Sequence, residues 1–245
     1  MKIKPTILLI LIGLFVWSIA ACGSTAEPVA TATPQALEEA GDAPLAPGET
    51  VTLGSGPNET HTFVVVTAES EARYVVNEEF FAEALSKYGI RPGRVVVTGI
   101  TPGVSGELQI NFGQPDLLEG ATFTVDMNRL RTDQSLRDEW LQDNAIETNR
   151  FPQAVFVATG VSGLPDSYTE GEEISFQLEG DLTIRDTTNP VVFEVTAVLD
   201  GSTLRGTAVR QMQLTDFGIT PPDFANTLTV GNDLRIELDL TAVKQ

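Results

Sequence analysis

The residue types that carry covalent chemistry are nearly missing from this chain. A nucleophile needs a base beside it, and a metal needs a cluster of imidazole, thiolate or carboxylate ligands. The 245 residues hold one histidine, His61, and one cysteine, Cys22. A Ser-His-Asp site would have to use His61, yet no serine stands in the strained Gly-x-Ser-x-Gly turn that exposes such a nucleophile. His61 is therefore read as a solvated residue at the end of a polar stretch, and zinc is set aside with it. Carboxylates are plentiful, but neighbours such as Glu78-Glu79, Asp138-Glu139 and Glu172-Glu173 point to different sides of a helix or strand and do not flank one bond. Asp126, Asn128, Asp133 and Asp143 offer oxygen ligands for a loop-bound calcium, without the glycine and closing glutamate of an EF-hand loop. The expectation is a protein that is not an enzyme and holds no metal or cofactor. What the sequence has in quantity is apolar side chains at regular spacing, which pack against one another or hold another apolar molecule out of water.

That spacing is the spacing of strands. Ile174, Phe176, Leu178, Leu182 and Ile184 share one face, and Ser175, Gln177, Glu179, Asp181 and Thr183 share the other, the alternation of a half-buried antiparallel ribbon. Gly180 marks a bend. The same parity runs through Val191, Phe193, Val195, Ala197 and Leu199, then through Leu234, Ile236, Leu238, Leu240 and Ala242. Asp200-Gly201 signals a hairpin turn into a strand over 203–215. Further strands are predicted at 63–68, 72–76, 94–100, 104–112 and 121–127, the last with Phe123, Val125 and Met127 inward. Two segments break the alternation as helices: 77–88, with Asn77 as cap and Gly89 as stop, and 132–141, with Thr132 as cap and Leu136, Trp140 and Leu141 at helical spacing. Long antiparallel strands and one or two short helices in about 180 residues predict an all-β barrel or sandwich. Residue types alone favour a filled core over a hole.

The N-terminus reads as an address. Lys2 and Lys4 precede an apolar stretch at 7–19 and the small residues Ala20-Ala21, the layout of an export signal; about 15 apolar residues fall short of the roughly 20 that span a bilayer. Ile19-Ala20-Ala21-Cys22 resembles a bacterial lipobox, which implies lipidation at Cys22 and an extracytoplasmic lipoprotein anchored to the bacterial cell membrane. From residue 23 to about 60 the chain is Ala, Thr, Pro, Glu and Gly, too poor in large apolar groups to order itself. The expected organisation is a signal peptide at 1–21, a disordered tether at 22–61 and a barrel domain at 62–245. A formal net charge of -19 repels phosphate backbones and anionic headgroups, which excludes nucleic acid as a partner and leaves membrane attachment to Cys22. A homodimer stays open.

Two stretches carry a family resemblance. Arg137-Asp138-Glu139-Trp140-Leu141, then Phe151-Pro152-Gln153-Ala154-Val155-Phe156, then Gly180-Asp181-Leu182-Thr183-Ile184-Arg185-Asp186-Thr187-Thr188-Asn189-Pro190-Val191 resemble, in this order, the signature of the YceI-like, polyisoprenoid-binding family. Weaker echoes follow at 216–219 and 230–234. The chain departs from the family in three places: Trp140 stands where a His is usual, Asp186 where a turn Gly is usual, and 72–81 where an Asp-x-x-His-Ser turn is usual. Asp186 is expected to take the positive φ of that turn.

The resemblance implies a lipocalin-like antiparallel barrel that binds a long isoprenoid or quinone-like lipid without covalent chemistry, and it shifts the expectation from a filled core to a hollow one. Strand parity together with the resemblance nominates Phe123, Val125, Leu136, Arg137, Trp140, Phe156, Phe176, Leu182, Phe193, Leu214 and Phe217 as the ligand-binding set. The alternative is a solid-core surface interaction or stress-response module with no lipid ligand.

Overall fold

Period-two alternation becomes a wall when each strand finds a partner on both sides, and a computed structural model shows this for nearly the whole domain. It describes residues 48–81, 89, 92–114, 116–225 and 227–245. The expected signal peptide, Cys22 and the tether up to residue 47 lie outside the described residues. The strands are β1 (Thr50–Thr52), β2 (Thr60–Val65), β3 (Glu71–Phe80), β4 (Gly93–Thr101), β5 (Val104–Asn111), β6 (Leu118–Asp126), β7 (Gln153–Ser162), β8 (Ser167–Thr169), β9 (Ile174–Ile184), β10 (Thr187–Asp200), β11 (Thr203–Gln213) and β12 (Leu228–Lys244), with one short helix, α1 (Ser135–Trp140).

All pairings are antiparallel, and the main sheet closes on itself through β11 and β12, which pair from Thr203 opposite Val243 to Gln213 opposite Asp233. β12 is long enough to serve two partners on its other side, β3 along Leu228–Asp239 and β2 along Ala242–Lys244. β2 and β3, joined by the short turn Thr67–Glu69, are thus one bent stave, and β4 and β5 pair alongside them as another. Counted this way the barrel has eight staves. Closure through β11 and β12 leaves one edge in the main sheet, the outer side of β4, which among the described residues holds a single bridge from Ile100 to Arg131.

Four expectations are corrected. Residues 77–80 are strand rather than helix: Asn77, Glu78, Glu79 and Phe80 continue β3 opposite Val96, Val95, Arg94 and Gly93, because pairing on both sides outweighs the local capping signal. The remainder of that helix, 82–88, lies outside the described residues. Order begins before residue 61, since β1 pairs with β8, Val51 opposite Tyr168, and Val51 is buried. At the other helix Thr132 precedes the N-cap position, held by Gln134; its hydroxyl accepts from the Gln134 amide at 3.2 Å and donates to Asp138 Oδ1 at 2.7 Å. After α1 the chain continues through a wide turn, Leu141–Ala145. Between β9 and β10 the positive φ is taken by Arg185, at 59°, and not by Asp186.

Candidate ligand cavity

The inward side chains do not fill the barrel. A cavity of about 220 Å³ runs inside it, lined almost wholly by hydrocarbon. It is larger than the roughly 150 Å³ apolar cavity that stays dry and takes up benzene. Ile174 at one end of β9 and Ile184 at the other both line it, a run of roughly 33 Å along the strand, or about 25 Å along the axis of a barrel whose strands tilt by about 40°. The cavity is therefore long and narrow, a bore.

Local sequence shapes this bore. Gly180 sits in β9 where a Cβ would fall 2.4 Å from Phe156 Cζ, so the missing side chain lets the Phe156 ring lie across the strand. Phe156 then meets Phe193 edge to face, centroids 5.3 Å apart at 86°, a favourable geometry for aromatic pairs.

Of the residues nominated from sequence, Phe123, Val125, Phe156, Phe176, Leu182 and Phe193 line the cavity. The other five do not. Leu136 is 78% exposed, turned away on the outer side of α1. Trp140 packs edge-on against Phe224, centroids 5.4 Å apart. Leu214 is partly buried against the core, and Phe217, 1% exposed, is packed into it. Phe217 owes its burial to the turn Leu214–Phe217, where Asp216 accepts from the Gln213 amide at 2.9 Å and Gly218 closes at φ 66°. The resemblance brought Leu136 and Trp140 into the set, but a helix of six residues shows only part of its surface to the barrel.

Arg137 also has another task. Its Nε and Nη2 donate to the two carboxylate oxygens of Glu78, both at 3.0 Å, and Nη1 reaches Asp133 at 2.5 Å. Glu78 is 5% and Arg137 12% exposed at the side chain, so this is a desolvated bidentate pair that joins α1 to β3. Burial works to lower the Arg137 pKa, and the hydrogen bonds and charges of Glu78 and Asp133 together outweigh it and raise it. Asp138 beside it is buried and accepts from the Thr132 amide at 2.8 Å. The Arg-Asp step thus ties the helix to the barrel.

Strand entry at Phe151-Pro152 is equally structural. The Pro152 carbonyl accepts from the Met127 amide at 2.9 Å, and the guanidinium groups of Arg150 and Arg185 lie 4.8 and 5.8 Å from the Phe151 ring centre. Both cations pair with Glu147, Arg185 at 2.5 Å, and Glu147 and Arg185 both hold positive φ.

Sequence reasoning missed several lining residues. Leu53 and Leu164 lie outside the strands, where no period marks a side as inward, and Tyr74 lay at the edge of a stretch read as changing from strand to helix. Among the polar residues, Tyr168 lines the bore but turns its hydroxyl to the backbone, donating to the Leu199 carbonyl at 2.5 Å and accepting from the Leu199 amide at 3.1 Å. Burial raises the pKa of Tyr168 and of Tyr74. Among the described residues no group of three or more His, Cys, Asp and Glu side chains is placed to hold a metal ion.

Comparison with known proteins agrees with this architecture. BcnA of Burkholderia cenocepacia shares 17% identity at a TM-score of 0.55, over 73% of this chain and 99% of that one. A polyisoprenoid binding domain from Saccharophagus degradans, implicated in plant cell wall breakdown, shares 12% at a TM-score of 0.55, over 75% of this chain and 98% of that one. At such identities the likeness is one of fold. No curated protein matches the sequence. The model of the YceI-like domain matches residues 63–242, the span from β2 to the last staves of the closed barrel, and the chain belongs to the YceI-like family.

Proposed function

We propose that the barrel binds and carries a long apolar lipid of the isoprenoid or quinone type, without catalysis, and that lipid on Cys22 holds it at the outer side of the bacterial cell membrane. The observation that carries this reading is the bore itself, lined by hydrocarbon from Ile174 to Ile184. A chain threaded there gains about 0.8 kcal/mol for each methylene removed from water. A few buried prenyl units would then outweigh the immobilisation of the tail. Membership of the YceI-like family and the binding named for the Saccharophagus degradans domain support the same ligand class.

Lipid extraction of the purified protein, read by mass spectrometry, tests the reading. A prenyl lipid at near one equivalent is expected; protein that carries no lipid and takes up none from prenyl-lipid vesicles overturns it. The anchor has its own test. Fatty-acid labelling should vanish in Cys22→Ser, and labelling that persists removes the lipoprotein assignment.

A further inference from the structure

Among the described residues β4 is the one strand of the main sheet that pairs with a neighbouring strand on one side alone, and nothing guards its open side. Edge strands are ordinarily kept from pairing by lysine, proline, a bulge or a covering element. β4 contains neither lysine nor proline. Its register with β3 runs unbroken from Gly93 opposite Phe80 to Thr101 opposite Ala72, so it has no bulge. Its one charge, Arg94, turns to Glu79 of β3 at 3.3 Å. Val96 is 67% and Val95 41% exposed, and as neighbours they point to opposite faces. No other described strand exposes large apolar side chains on both faces.

The open backbone groups specify what would cover them. Ile100 exchanges both of its backbone hydrogen bonds with Arg131, donating at 2.8 Å and accepting at 2.9 Å, so its N–H and C=O point away from β3. In an unbroken antiparallel ladder every second residue does the same. The N–H and C=O of Arg94, Val96 and Thr98 therefore face the open side, while Val95, Val97 and Gly99 bond to β3. These six groups have no partner among the described residues. They are centred on Val96. At one end of the series stands Pro92, with no N–H to offer, and at the other Ile100, already engaged.

A second β4, antiparallel about a two-fold axis at Val96, meets this pattern group for group. Val96 would exchange two hydrogen bonds with its own copy, and at each end Arg94 would exchange two with Thr98 of the other chain, which uses all six groups of both strands. Ile100 would face Pro92 of the copy, where no amide is left to pair. The side chains agree. Val96 would meet Val96 on one face and Val95 would meet Val97 twice on the other, and β-branched cross-strand pairs are favourable. Arg94 would lie across from Thr98, and β4 carries no carboxylate to repel its copy. Any extended peptide could bond an edge, but a set of open groups symmetric about one residue, between a proline and an occupied position, singles out the same strand.

We propose that β4 is a self-association edge, through which two copies of the chain pair antiparallel about Val96 and join their sheets. The proposal does not depend on what the bore holds.

Amide exchange of the purified full-length protein, read by NMR at about 10 and about 500 μM, tests it on the wild type. At the higher concentration exchange at Arg94, Val96 and Thr98 should slow about tenfold or more, whereas Val95, Val97 and Gly99, already bonded to β3, keep their rates. Sedimentation should report a dimer over the same range. Val96→Lys sets two like charges face to face across the axis, and Val96→Pro removes both central donors without touching the bonds to β3. Each should weaken the dimer about tenfold or more and leave the fold intact. Exchange that does not change with concentration, protection already complete in the monomer, which would mean that the chain's own N-terminal segment covers the edge, or a dimer that survives both variants would each overturn the proposal.

Discussion

Glu78 and Arg137 show how one buried charge pair can decide a local structure. Neither is tolerable alone in a desolvated site, since removing one partner leaves the other uncompensated. Glu78→Ala should therefore destabilise the domain by about 3–5 kcal/mol in denaturant unfolding. Exchanging both for apolar residues of like volume should recover most of that loss. The pair also explains a misreading. An inward Glu in β3 looks like the polar face of a helix until the arginine that neutralises it, 59 residues away, is placed beside it. Tyr74 belongs to the same scale. Its pKa and that of Tyr168 are raised by burial above an ordinary value of 10.0, so the unfolded chain loses these protons at lower pH than the folded one. Stability should hold up to about pH 10 and fall as the pH rises beyond it. Thermal melts between pH 9 and 11 should show that slope, and Tyr74→Phe should reduce it without abolishing it.

Strands with strict alternation were legible from sequence, and the reason is physical. In β9, β10 and β12 one face meets the bore and the other meets water, so every second residue reports its side. Ile174–Ile184 was legible to the residue. Strand β3 and the helix were less so, because their boundaries depend on partners distant in sequence, and β1 was hidden within a polar stretch, with Val51 its one buried residue. The same logic limited the site. Six nominated residues lie in strands and line the cavity, whereas the three that the structure places on the helix and the two it places in the turn at 214–217 do not. Side chains within a strand can be tested directly. Ala197 lines the bore from β10, and Ala197→Phe should block it, weakening prenyl-lipid binding about tenfold or more while the melting temperature changes little, because the added ring enters open space rather than a packed core. Gly180→Val should instead unseat Phe156, against which a Cβ already falls within 2.4 Å, and lower stability by about 1–3 kcal/mol.

At the scale of the molecule, eight closed staves solve two problems with one arrangement. Closure pairs the backbone around the ring apart from the outer side of β4, and the circumference it sets leaves a channel that these side chains line without filling. The acidic exterior, formally -19 over the whole chain, keeps such a body soluble and away from anionic surfaces. The central claim is that the channel is hollow and takes a hydrocarbon chain along its length. A crystal structure of the protein after incubation with a long prenylquinone tests this most directly. The account predicts continuous tubular density from the level of Ile184 to that of Ile174. A collapsed channel, with Phe156, Phe176 and Phe193 closed on one another and no density between them, would contradict it.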